Sequence, residues 1–97
     1  MTKITVDKVS NAKFWPGNIY FTPGIEREVM WEDVITAINR HCAGDWGDVD
    51  PLDRAANEEA LLAGGKLFSV YHDQNGVKFW IITDADREAT IVLLPDN

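Results

Sequence analysis

The sequence predicts an α+β domain in which two helices cover one face of a small, mainly antiparallel sheet that ends in a three-strand meander. Three observations carry that expectation. Apolar residues recur at helical spacing between Trp31 and Cys42, the period changes to two-fold after Gly64-Gly65, and Asn75-Gly76 separates two β-rich runs. With 97 residues the chain is read as one domain, 1–97, able to build a single modest core. Apolar residues at 45% and charged residues at 26% fit a folded domain and exclude a disordered one.

Taken in order, Ile4 and Val6 alternate with polar residues before the rhythm fails at Asp7-Lys8, so residues 1–16 are expected as a short strand or an extended arm. Phe14-Trp15-Pro16-Gly17 is a turn signal, and Asn18-Ile19-Tyr20-Phe21 supplies a strand over about residues 17–22. Thr22 is placed to cap a short helical turn over 24–29, with Pro23 at its first position. From Trp31, residues Val34, Ile35, Ile38 and Cys42 form an apolar stripe, with Arg40 and His41 near the negative end of the dipole and Gly44 as the stop. Asp50-Pro51-Leu52-Asp53 resembles a capping box and starts a second helix that runs to about Ala63. Strands are expected over 66–71, 77–83 and 90–94, the last after the turn Asp84-Ala85-Asp86-Arg87.

Sixteen acidic against nine basic residues give a net charge of −7, which works against direct phosphate contact, so nucleic acid is not expected as a ligand. Cys42 is the single cysteine, which excludes an internal disulfide and thiolate zinc clusters and fits a reducing compartment. No run of signal-peptide or membrane-spanning length occurs, so the expectation is a cytoplasmic protein without a membrane.

The motifs each have a structural reading beside the chemical one. Asp48, Asp50 and Glu59 occupy positions 1, 3 and 12 of a calcium-loop register, but Leu52 and Asp53 stand where a ligand and the turn glycine belong. Helix capping explains the same aspartates. His41 and Cys42 are neighbours on a helix, about 100° apart, and so cannot form a dyad; Cys42 is expected in the core and His41 at the helix C-terminus or near an Asp. His72 is expected as a solvated residue at the hairpin mouth. No catalytic residue, metal site or cofactor is assigned. Trp46, held between Gly44 and Gly47, suits a ring folded back as a plug, so these three residues form the expected structural pivot.

The stretch His41-Cys42-Ala43-Gly44-Asp45-Trp46-Gly47-Asp48, with Asp53, Asn57 and Leu61 after it, followed by Leu67 to Tyr71, Lys78-Phe79-Trp80-Ile81-Ile82-Thr83-Asp84-Ala85-Asp86-Arg87 and Thr90-Ile91-Val92-Leu93-Leu94-Pro95, resembles a family of small uncharacterised bacterial proteins. Its members are similar to cargo of plasmids, prophages and integrative elements, and are sometimes labelled as restriction-system subunits. The resemblance covers about residues 18–95. It implies genomic company and assigns no residue a catalytic role.

Together with the acidic balance between Asp45 and Glu59, this leads to the expectation of a non-enzymatic inhibitor of a host defence complex, anti-CRISPR or anti-restriction, that binds a basic nucleic-acid-binding protein complex. Its protein-binding residues are expected to be Asp45, Asp48, Glu58, Glu59, Trp15 and Trp31, with Glu58 and Glu59 free of structural work. The alternative is a small metal-dependent hydrolase or nuclease-associated enzyme using His41, His72 and nearby aspartates.

Overall fold

The computed structural model describes residues 2–4 and 11–96. Its elements in chain order are β1 (Thr2–Ile4), β2 (Asn18–Phe21), α1 (Pro23–Glu28), α2 (Trp31–Cys42), α3 (Pro51–Ala63), β3 (Leu67–His72), β4 (Lys78–Thr83) and β5 (Ala89–Leu93). The α+β class expected from the sequence is therefore present, with every helix and strand expected from residue 17 onward found within a residue or two. Of the expected arm, residues 2–4 form β1, and residues 5–10 lie outside the described residues.

The sheet has the order β1-β2-β5-β4-β3. Pairing is antiparallel throughout except between β2 and β5, which run parallel with Ile19 opposite Thr90 and Phe21 opposite Val92. A parallel pair needs a long crossover, and here all three helices and the β3–β4 hairpin supply it. The meander thus docks against the first half of the chain through β5. Gly17 makes the entry possible: it has φ +69°, and a Cβ there would collide with the Glu88 carbonyl.

Side-chain alternation sets two unlike faces. Ile19, Phe21, Phe79, Ile81 and Val92 point inward and meet Ile25 of α1 and Val34, Ala37, Ile38 and Cys42 of α2 in one core. On the opposite face Tyr20, Phe68, Trp80, Ile82, Ile91 and Leu93 are half-buried. Cys42 is the core residue expected, and its thiol pKa is pushed up to about 11 by burial.

α2 is fixed at both ends. The buried Asp73 carboxylate accepts from the N–H groups of Met30, Asn75 and Val77, and Asp33 accepts from Gln74 N–H, so the helix start is stitched to the hairpin turn. Burial opposes ionisation of Asp73, but these backbone donors outweigh it and hold its pKa below the ordinary value. At the other end the Cys42 carbonyl accepts from Lys13 N–H at 2.7 Å.

Two expectations change here. Thr22 has the extended backbone of a cap and its carbonyl accepts from Ile25 N–H, yet its Oγ1 makes no cap bond and is buried without a partner among the described residues, so α1 starts on Pro23 without a side-chain cap. His41 does not serve the helix end or an aspartate. It is fully buried, with Nδ1 against Ser69 Oγ and Nε2 2.9 Å from Thr83 Oγ1. The line continues through Thr90 Oγ1, 2.7 Å from Thr83, to the Pro16 carbonyl. Because that carbonyl only accepts, its proton comes from Thr90; Thr83 then donates to Thr90 and accepts from His41 Nε2–H, which leaves Nδ1 to accept from Ser69. A neutral imidazole satisfies every member. Burial, reinforced by the nearby Arg87 cation, accordingly pushes the His41 pKa down to about 3.

Candidate functional site

The Asp45-to-Glu59 stretch forms a loop and helix along the free edge of β3. Gly44 at φ +82° lets the chain leave α2, and Asp45 N–H returns to the Arg40 carbonyl at 2.9 Å. Residues 46–48 then pair with the edge strand: Val70 N–H donates to the Trp46 carbonyl at 3.1 Å, and Asp48 N–H donates to the Val70 carbonyl at 2.8 Å. Gly47 sits at φ +72°, and a Cβ there would strike the Val70 carbonyl and the Tyr71 ring. Two residues along, Asn57 of α3 accepts from Phe68 N–H at 3.0 Å and donates to its carbonyl at 2.7 Å. A loop and one side chain thus take up the edge-facing N–H and C=O groups of Phe68 and Val70, which an open strand edge would leave to another chain.

The Trp46 ring folds back into the molecule as a plug. It is fully buried with Val49, Ala60, Leu67 and Val70, and it stacks on Phe14 at 6.4 Å. Removing about 200 Å² of ring from water stabilises the fold by roughly 5 kcal/mol.

The expected binding residues divide when placed on this frame. Glu58 has structural work after all: its Oε2 accepts from Trp46 Nε1 at 2.7 Å, since the plugged indole turns its one donor toward α3. Asp45 forms a two-point ion pair with Arg40, at 2.7 and 3.2 Å, and the hydrogen bond to Arg40 is the chief cause of its lowered pKa. Its carbonyl also accepts from the Tyr71 hydroxyl. Asp48 lies 2.9 Å from His72 Nδ1, and Asp50 caps α3 by accepting from Asp53 N–H at 2.8 Å. Among the described residues Glu59 makes no such bond.

These bonds leave the charges in place. Asp45, Asp48, Asp50, Glu58 and Glu59 are all exposed, so α3 and the loop before it present an acidic edge interrupted by Arg54 and the paired Arg40. Trp15 and Trp31 are 47% and 44% exposed; Trp31 begins α2, about 18 Å long, and Trp15 follows Lys13, whose N–H reaches the Cys42 carbonyl at the other end of that helix. Trp31 leans on Phe21 at 5.0 Å.

His41 and His72 are not brought together. His41 lies under the inner face, committed on both nitrogens, and His72 is at the exposed outer edge with Asp48. Among the described residues no three His, Cys, Asp or Glu side chains are grouped to hold a metal ion. A cavity of about 330 Å³ opens on the outer sheet face between Tyr20, Ile82, Asp84, Ala89 and Ile91. Among the described residues Asp84 is the one carboxylate in that lining, beside apolar side chains and the Tyr20 phenol.

Sequence reasoning missed Arg87, which sits at φ +62° and turns its guanidinium inward. It donates to the carbonyls of Ala60 and Gly65, at 3.0 and 2.6 Å, closing the C-terminal end of α3. A basic residue last in the turn Asp84-Ala85-Asp86-Arg87 was the visible signal, but its target was not. The glycines, Trp46, Asn57 and Arg87 of the motif stretches are thus accounted for by folding. No family model, curated protein or solved structure matches this chain. Among the described residues no helix is long and apolar enough to cross a membrane.

Proposed function

We propose that this chain is a non-enzymatic protein-binding domain that presents its acidic α3 edge to a basic, nucleic-acid-binding surface of a partner complex. The observation that supports this reading is the placement of Asp45, Asp48, Asp50, Glu58 and Glu59 along one exposed edge, with Arg54 as the only cation of that stretch. Several of these carboxylates are held by one hydrogen bond or ion pair, which orients them and costs less ordering on association than free side chains would. A field of this kind steers a basic partner toward the edge and opposes nucleic acid itself.

On the motif resemblance to mobile-element cargo, the partner is a host defence complex of the CRISPR or restriction type, and binding inhibits it by occupying its nucleic-acid channel. Glu59→Lys reverses a charge that has no bonding partner among the described residues, and it is the variant to use. In bacteria carrying such a system, wild-type protein should protect an incoming plasmid, and Glu59→Lys should protect it less. Pull-down of the complex should weaken between low and moderate salt. Full protection by the folded variant, or no salt-sensitive partner, overturns the reading.

A further inference from the structure

The side of α3 that faces solvent is apolar over most of its length. Leu52 and Leu62 are 83% and 91% exposed, and Ala55, Ala56 and Ala63 are exposed with them. At 100° per residue these positions fall on one strip, with Glu59 in its middle. The buried residues Asn57 and Ala60 occupy the other side. Among the described residues folding does not use the strip: α3 is attached by Asn57, by Ala60 and Leu61 against the Trp46 cluster, by Glu58 through Trp46 and by Arg87, and none of those contacts reaches it.

We propose that this strip is a docking surface for a basic amphipathic helix of another protein. The inference rests on the protein-binding reading above and names the kind of partner. Leu52 and Leu62 stand about 15 Å apart along the axis, which matches three turns of a facing helix. The alanines between them let two helix backbones approach closely, so the leucines act as knobs at the two ends of the contact. Charge decides what the facing helix carries. A second copy of this chain crossing on the same strip would bring Glu59 and Glu58 against their own counterparts, a juxtaposition that opposes association. A helix with leucines on one face and Lys or Arg beside them meets both features at once. The same carboxylates oppose an anionic lipid surface.

The probe is a labelled synthetic 14-residue helix of leucine and lysine with its leucines on one face. A peptide of identical composition, reordered so that no apolar face forms, is the control. Binding to wild-type protein is followed by fluorescence anisotropy at low salt. The amphipathic peptide should bind at least about ten-fold more tightly than the control, a difference of about 1.4 kcal/mol. Leu52→Ser with Leu62→Ser should remove that preference without changing the melting temperature, and Glu59→Lys should weaken binding of both peptides. Equal binding of both peptides by wild type overturns helix docking while leaving an acidic surface that reads charge alone. An unchanged preference in the double serine variant also overturns it, as does a wild-type dimer in sedimentation that the serine substitutions dissociate. Plasmid protection lost in Glu59→Lys but intact in the double serine variant would likewise overturn docking on this strip and leave the acidic edge standing. Protection indifferent to Glu59→Lys would fail the broader reading instead.

Discussion

Helices α2 and α3 are nearly equal in length, yet α2 turns Val34, Ala37, Ile38, His41 and Cys42 into the molecule whereas α3 buries only Asn57 and Ala60. The first is held by apolar burial across the sheet, the second by Ala60 and Leu61 against the Trp46 cluster and by a few polar bonds at the edge of β3. Helix formation alone does not explain the difference, because α3, the helix with the side-chain cap, is the one that buries less. What differs is the support each finds. α2 lies over the inner face, and α3 finds only an edge, where hydrogen bonds to exposed backbone and one plugged tryptophan are the available anchors. A helix attached in this way has a side left over.

The largest expected effect tests the plug on which α3 rests. Trp46→Ala removes a fully buried ring and the hydrogen bond to Glu58, and should cost about 3–5 kcal/mol. For a domain of this size that lowers the melting temperature by at least about 12 °C. Melting close to wild type would show that the loop and α3 do not depend on the ring.

Next in size is the acid response of the α2 side. Because the folded His41 pKa of about 3 lies below the ordinary 6.5, the unfolded chain takes up a proton below pH 6.5 that the folded chain refuses. Stability therefore falls as pH drops from 6.5 toward 3, by about 1.4 kcal/mol per unit. Asp73, held below its ordinary value by backbone donors, adds a loss of the same sign below about pH 4. Urea unfolding of the wild type should thus show about 2 kcal/mol less stability at pH 5 than at pH 7. His41→Leu, which strands the Ser69 and Thr83 hydroxyls, should be less stable at pH 7 but nearly flat over that interval. A wild-type slope retained in the variant would assign the acid response to other groups.

The same contrast explains what was legible in the sequence. α2 could be read from its stripe, α3 from Asp50-Pro51 and Gly64-Gly65, and the hairpin from Asn75-Gly76, because each signal is local. Trp46 could be recognised as a plug because two glycines flank it. The parallel pairing of β2 with β5 could not, since it joins segments about 70 residues apart and no local preference encodes it. Glu58 was misread for a related reason: its partner is chosen by which way the buried indole turns its N–H. His41 was within reach. It lies seven residues after Val34 on the same stripe, while Ser69, Thr83 and Thr90 occupy inward positions of their strands, so a buried polar line was implied by period alone.

The smallest effects bear most closely on the division of α3 into an anchored side and a free side. Glu58 and Glu59 are adjacent residues of the same type and are both exposed, but only Glu58 holds the indole. Equilibrium urea unfolding of Glu58→Ala and Glu59→Ala, compared with wild type at pH 7, isolates that difference. The first should lose about 1–2 kcal/mol by leaving a buried N–H without its acceptor, and the second should stay within about 0.5 kcal/mol. Equal losses in the two variants would contradict the division, because α3 would then have no side that folding leaves free.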